Sequence, residues 1–489
     1  MTTHTLSIAL AVLATPALGG TVARHSVTHT AQIAQEQMLD ADTLGALAVG
    51  QRVLLDNFPL DDGSSLDLDL ERFTVLRPDS RTIIVDEQGV EHDAGDLGVV
   101  LLKGSVAGDP GSRVYVSTSP YGINGFIKTK DTTYSISTGP SGADFGHDLG
   151  LTVCDAALIP SEDGPERPCA VIPSADALNK LAIAGLAPDG YADRRVRATR
   201  ETELAIETDY EYTANIFGGN ANAASAYIQT LIGGITLIYE NDLDVHLTVV
   251  YSRVFSANND PYPGNDDSNR LDHFMAEWDA NMEGVHRDAA HMFTGLSPSW
   301  GGIAYVSALC FNEDNGEPTS YDYGCSAYLN GFFPSPLTDH NSDNWDLVVC
   351  AHELGHNHGT GHTHDIDWYN PIIDGCGLGD CSAPYGGTIM SYCHTCSGGL
   401  SNIVLNFHPR VIDTMAYFID NFAPCLTAPA GGACSPCDLD ANGTLNLDDI
   451  NTFAAAFVSS DLAADLDNNG TLNLDDINTF ASCFTTGCP

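Results

Sequence analysis

Val349-Cys350-Ala351-His352-Glu353-Leu354-Gly355-His356-Asn357-His358-Gly359-Thr360-Gly361-His362 is the stretch that decides how this chain is read. Residues four apart lie on one face of an α-helix, so His352 and His356 can present imidazole nitrogens to a single metal ion. Three protein nitrogens with an open fourth position make a catalytic zinc site. Glu353 stands beside the first ligand, where it can act as general base on a water at the metal. Gly359 lets the chain leave the helix through a left-handed conformation, which brings His362 round as third ligand. His358 and His364 flank the three ligands and are read as solvated or supporting histidines, outside the metal set. The plain alternative, surface histidines on an ordinary helix, does not account for five fixed letters in eleven positions.

Downstream runs Gly387-Thr388-Ile389-Met390-Ser391-Tyr392. With the histidine motif it resembles the signature and methionine turn of the metzincin zinc endopeptidases. The likeness continues in Glu203-Leu204-Ala205-Ile206-Glu207-Thr208-Asp209 and in His286-Arg287-Asp288-Ala289-Ala290-His291-Met292-Phe293-Thr294-Gly295, which are similar to the adamalysin (reprolysin) branch over about residues 199 to 425. That resemblance implies an α/β catalytic domain, with a twisted mixed sheet and long helices above a zinc cleft and a smaller part below. It also implies that Met390 forms an apolar floor beneath the metal. Adamalysins usually place Asp directly after the third histidine; here Thr363 stands there, with Asp365 two positions on. Tyr392 occupies the place of the tyrosine that astacins and serralysins use as an extra zinc ligand or oxyanion stabiliser. The rival reading of Tyr392 is a core tyrosine.

At 489 residues the chain exceeds a single core and is expected to divide into several domains. Acidic residues number 65 against 19 basic, a formal charge of -46 that repels nucleic acid and anionic membrane, so neither is an expected partner. Hydrophobic content of 43% excludes wholesale disorder. The apolar run Leu6 to Leu13, followed by small residues, reads as a secretory signal peptide over residues 1–19. No later run is long enough to span a bilayer, so a secreted or extracellular protein is expected, held at a cell surface if its C-terminal module is an anchor. Fourteen cysteines fit that compartment, and because each segment of the chain holds an even number of them, disulfides within each domain are expected.

Residues 20–198 are strand-like. Leu66-Asp67-Leu68-Asp69-Leu70-Glu71 alternates as a half-buried strand does, and Thr82 to Val85, Val99 to Leu102 and Val114 to Thr118 are further candidates. This β-rich region ends at Arg194-Arg195-Val196-Arg197-Ala198-Thr199-Arg200, a basic cluster in an acidic chain that reads as a recognition site for a processing protease, the alternative being an ordinary solvated charge run. Residues 20–198 are thereby expected to be a propeptide. Its Cys154 and Cys169 are expected to pair with each other, the alternative being a thiolate that silences the zinc. Beyond the cluster, strand and helix patterns alternate: a strand from Glu203, a helix over Ala221 to Glu240, a strand over Val245 to Val254, a helix over Leu271 to Met282, a strand over Ile303 to Leu309 and a closing helix over Pro409 to Asn421. The motif helix is expected to start near Trp345, capped from Asn341, Ser342 or Asp343.

A linker by composition covers 426–433, and residues 434–489 hold an internal repeat. Asp438-Leu-Asp-Ala-Asn-Gly-Thr-Leu-Asn-Leu-Asp-Asp449 returns 27 residues later as Asp465-Leu-Asp-Asn-Asn-Gly-Thr-Leu-Asn-Leu-Asp-Asp476. Oxygen ligands at loop positions 1, 3, 5, 7 and 12, with Gly at position 6, suit calcium: Asp438, Asp440, Asn442, Thr444 and Asp449 in one loop, and Asp465, Asp467, Asn469, Thr471 and Asp476 in the other. Each loop is followed by a helix and preceded by almost none, and the pair resembles a dockerin type I module. The resemblance implies about two bound calcium ions and a cohesin-like scaffold or cell-surface anchor as partner.

The sequence reading is therefore a multidomain, secreted zinc endopeptidase made as a proenzyme, acting on protein or peptide substrates, with a small α-helical dockerin-like module that localises it. The alternative from another class is a catalytically silent metzincin-fold surface-binding protein, and a further one is a zinc hydrolase acting on a non-peptide amide.

Overall fold

Val245-His-Leu-Thr-Val-Val-Tyr-Ser-Arg-Val-Phe255 is buried along almost its whole length, as a strand covered on both faces must be. It lies inside the larger of two sheets in the computed structural model, which describes residues 29–60, 62–138, 152–155, 170–172, 187–194, 199–262, 270–296, 301–312, 320–331, 345–427, 437–439, 445, 447–459, 464, 466 and 471–486. The strands in chain order are β1 (Arg52–Pro59), β2 (Ser65–Phe73), β3 (Arg81–Val85), β4 (Glu91–Asp93), β5 (Val100–Val106), β6 (Asp109–Ser119), β7 (Gly122–Lys128), β8 (Thr133–Ser137), β9 (Thr152–Asp155), β10 (Ala170–Ile172), β11 (Arg200–Thr208), β12 (Val245–Phe255), β13 (Ala289–Phe293), β14 (Gly302–Tyr305) and β15 (Tyr323–Ser326). The helices are α1 (His29–Met38), α2 (Ala41–Leu44), α3 (Tyr191–Arg194), α4 (Ala221–Leu243), α5 (Arg270–Asn281), α6 (Trp345–Asn357), α7 (Pro409–Phe422), α8 (Leu447–Ser459) and α9 (Leu474–Thr486).

The first sheet runs β1-β2-β5-β6-β7-β8-β9, antiparallel throughout. The second runs β10-β14-β15-β13-β11-β12-β3-β4. It is parallel except where β14 meets β15 and β3 meets β4. This is the mixed α/β sheet expected of a metallopeptidase domain behind a β-rich N-terminal region. The boundary at residue 198 is not a boundary between sheets, because β3 and β4 extend the catalytic sheet at one edge and β10 at the other. Sequence alternation identifies such strands without saying which sheet they join.

The helix α4 is buried nearly all round, so it lies between two layers. Asn220 caps it by accepting a hydrogen bond from the Ala223 N–H, and it ends at Asp244 in the left-handed conformation. Central β11 carries buried Glu201, Glu203 and Glu207. Glu207 meets the Arg253 guanidinium at 2.8 Å and accepts from Tyr262 and Trp278, so the buried charge has partners.

Disulfides join Cys310 to Cys425, Cys376 to Cys393, Cys381 to Cys396 and Cys437 to Cys483. Among the described cysteines, Cys325 on β15 and Cys350 on α6 are free thiols buried between sheet and helix. Burial pushes both thiols well above their ordinary range, and they pack as small apolar side chains. Cys169 lies outside the described residues, as do 1–28, Asn341, Ser342, Asp343 and most of the linker. Among the described residues no helix is long and apolar enough to cross a membrane.

Candidate metal centre

The motif helix α6 is fixed before its ligands are considered. Asp346 in its first turn accepts hydrogen bonds from the backbone N–H groups of Asn330 and Gly331 and from the Tyr227 hydroxyl. The Tyr239 hydroxyl donates to Ala351 O, and Trp345 Nε1 donates to Ala327 O. At the other end, Asn357 donates to the Tyr305 and Tyr323 carbonyls, tying the helix to β14 and β15. Gly359 then has φ +101°, and a Cβ there would overlap the Phe418 ring. Glycine is required twice over at this exit.

That exit turns His362 back toward the helix. The rings of His352, His356 and His362 form a triangle, with centroids 4.8 Å, 4.8 Å and 5.2 Å apart. One nitrogen from each lies within 4.8 Å of the others, and all three residues are buried. The second nitrogen of every ring is already committed. His352 Nδ1 is 2.7 Å from Ile389 O, His356 Nδ1 is 2.8 Å from Thr360 O, and His362 Nδ1 is 3.2 Å from Asp365 Oδ2. Those partners are acceptors, so Nδ1 carries the hydrogen and each Nε2 is left as a lone pair. The three Nε2 atoms are buried without a hydrogen-bond partner. Burial, followed by the neighbouring imidazoles, holds His352 well below its ordinary value and His356 at about 3, so protonation does not satisfy the lone pairs of those two rings. Converging buried lone pairs of this kind fit a divalent metal with a preference for imidazole.

Glu353 is fully buried. Its carboxylate lies against Gly302, the first residue of β14, so closely that a Cβ at Gly302 would overlap it. Met390 is also fully buried, with its Sδ 2.7 Å from where a Cβ on Gly355 would stand, and it lies under the motif helix. The methionine turn holds the ligands through its backbone as well: Ile389 O takes the His352 hydrogen bond, and Met390 O accepts from both the N–H and the hydroxyl of Thr363. Thr363 therefore latches the third-ligand segment to the turn, while Asp365 supplies the carboxylate on His362 and also accepts from the His362 N–H. The first carboxylate after the third histidine was the signal that could have assigned Asp365 this position.

The Tyr392 ring packs 4.4 Å from that of His362 and 6.1 Å from that of His352, almost fully buried. His364 stacks on His362 at 5.0 Å with the planes 8° apart. His358 points away from the triad, bonded to Leu354 O and Thr202 Oγ1. The pair Cys393 and Cys396 is taken up by disulfides.

Residues 198–405 match the family model described as Metallo-peptidase family M12. The match supports a metallopeptidase. Family M12 enzymes use zinc, and the histidine triad lies inside the matched segment. Among solved structures, the chain is similar to metalloproteinase-II from Bacteroides fragilis at 10% identity and a TM-score of 0.38, over 67% of this chain and 87% of that one. No curated protein matches.

In the C-terminal repeats, Asp438, Asp449, Thr471 and Asp476 are described; Asp440, Asn442, Thr444, Asp465, Asp467 and Asn469 are not. Asp449 accepts from the Leu439 N–H at 2.8 Å and Asp476 from the Leu466 N–H at 3.0 Å, so the last position of each loop closes onto its second residue. The Phe453 and Phe480 rings, equivalent in the two repeats, stack at 4.3 Å.

Proposed function

We propose that this chain is a secreted zinc-dependent endopeptidase, made as a proenzyme and localised by its C-terminal module. The observation that carries the catalytic part is the set of three buried, tautomer-fixed Nε2 lone pairs on His352, His356 and His362, with Glu353 next to the first. His352, His356 and His362 would hold a zinc ion, which would supply Lewis-acid chemistry toward a peptide carbonyl and a water. Glu353 takes the proton of the attacking water and hands it to the leaving amine. Tyr392, packed on His362, steadies the developing oxyanion with its phenol.

The proenzyme reading rests on residues 20–198 and on the basic cluster from Arg194 to Arg200. It is supported by the edge strand β10, whose Ala170–Ile172 pair with β14, the strand that begins beside Glu353. Arg200 itself is built into β11 and donates to Leu426 O, so the cut belongs within 195–198, before the strand starts. Calcium in the two repeats is supported by the matching loop closures at Asp449 and Asp476, and a cohesin-like scaffold or cell-surface anchor as partner rests on the repeat's resemblance to a dockerin pair.

Elemental analysis together with cleavage of an unfolded protein tests the catalytic reading. One zinc per chain, with cleavage lost on chelation and restored by zinc, is the expected result. Cleavage indifferent to chelator overturns it, as does a zinc-loaded matured chain that cuts no peptide, which would favour the silent surface-binding alternative.

A further inference from the structure

The N-terminal sheet is built into the catalytic unit, and we infer that a cut within 195–198 does not release it: residues 29–137 remain as a non-covalent, fold-completing partner of the catalytic segment. This rests on the proenzyme reading for the existence of the cut, but not for its consequence.

Three independent contacts carry the inference. First, β3 continues the catalytic sheet: its Arg81–Val85 pair in parallel with Tyr251–Phe255 of β12, flanked by hydrogen bonds from the Val249 N–H to Val75 O at 2.7 Å and from the Ser256 N–H to Val85 O at 3.0 Å. Removing β3 would expose the edge of a parallel sheet, a row of unpaired backbone groups beside buried apolar side chains.

Second, one face of α4 packs on the N-terminal sheet. Thr230, Gly233, Leu237 and Glu240 recur at helical spacing and mark the stripe that meets the N-terminal sheet. The buried Tyr115 hydroxyl donates to Thr230 O at 2.7 Å, and Ser117 Oγ is 2.8 Å from Thr230 Oγ1. A Cβ at Gly233 would lie 2.5 Å from the Tyr115 hydroxyl and 3.0 Å from Leu101 Cδ1, so glycine there is fitted to this sheet. Phe73, Val75, Leu101 and Tyr115 belong to the same buried core as the apolar residues of α4. They do not join the separate core inside the N-terminal sheet.

Third, charges meet across the interface. Lys103 Nζ is 2.7 Å from Glu240 Oε2, and Arg77 bonds Glu203 with Glu201 at 4.0 Å. Glu201 and Glu203 are both buried on β11, and departure of Arg77 would remove the guanidinium they share, leaving Glu203 with His286 at 3.1 Å. An apolar centre with a charged rim and main-chain pairing is the composition of a lasting interface, not of a shed leader.

The stretch on the near side of the cut is anchored as well: Gly190 and Ala192 donate their N–H groups to the two Asp413 carboxylate oxygens on α7. Among the described residues, β10 is joined to β14 through Ala170–Ile172.

The test uses the full chain carrying Glu353→Gln, to prevent self-digestion, with a specific-protease recognition sequence inserted within 195–198. After complete cutting, verified on a denaturing gel, native size exclusion in 1 M salt at the lowest detectable concentration and hydrogen exchange at Tyr251–Phe255 are measured. The inference predicts co-elution of both fragments and β12 amide protection within about threefold of the uncut chain. Separated fragments, or β12 amides that lose at least about 100-fold in protection, overturn it. Neither readout involves peptide cleavage, so an inactive chain with a retained N-terminal fragment would count against the zinc endopeptidase reading only.

Discussion

Gly302 and Glu353 are matched by shape: the first residue of β14 must lack a side chain for the carboxylate to lie where it does. Gly302→Ala is expected to displace Glu353 while leaving the three histidines in place. Displacement of a reacting group by about 1 Å costs on the order of 100-fold in rate. Proteolysis should fall by about that factor with zinc content unchanged, measured by initial rates and elemental analysis on the same sample. Activity within twofold of the parent would mean that the carboxylate is not held by this contact.

Asp365 holds the Nδ1–H of His362 and so fixes Nε2 as the nitrogen left with a lone pair toward His352 and His356. Loss of such a partner typically weakens metal binding by about 10- to 100-fold. Asp365→Ala should show that loss in competition with a zinc chelator, and Asp365→Asn a smaller one, because an amide oxygen still accepts. Unchanged zinc affinity in both would assign Asp365 to the loop and not to the site.

Tyr392 separates its two readings by one atom. If its phenol donates to the oxyanion, Tyr392→Phe lowers kcat by about 10²- to 10³-fold, with zinc and thermal stability retained. A core tyrosine would show the opposite pattern, with stability shifted and kcat kept.

Glu240 reports on the interface with the N-terminal sheet. Burial works to raise its carboxyl, but Lys103 and His246 outweigh it and hold the group at about 2, against 4.5 ordinarily. A depressed carboxylate stabilises the fold above its unfolded value, and that contribution is lost as pH falls from about 4.5 toward about 2. Glu240→Gln should therefore be less stable than the parent by about 1–3 kcal/mol at pH 5, and the gap should close as pH approaches 2. Urea unfolding at several pH values measures it, and a gap independent of pH would contradict the assignment.

The three histidines of the candidate metal site were legible because their spacing is local. His352 and His356 share a helix face, and Gly359 announces the turn that returns His362. The strands and helices of residues 200–255 were legible from apolar period, to within a few residues at their ends. The placement of β3 was not: Thr82-Ile83-Ile84-Val85 states that it is a strand, and only tertiary packing states that its neighbour is Tyr251–Phe255 and not β2. Gly302 was invisible for the same reason, since a glycine's role here is set by a carboxylate fifty residues away. Arg77 and Lys103 read as ordinary surface cations until Glu203 and Glu240 are brought to them.

The central claim is tested most directly by Glu353→Gln in the matured chain, with zinc content and cleavage of an unfolded protein measured together. The account predicts one zinc per chain, as in the parent, and cleavage reduced by about 10²- to 10⁴-fold, the contribution of a positioned general base. A zinc-loaded Glu353→Gln chain that cleaves within a few-fold of the parent would contradict it.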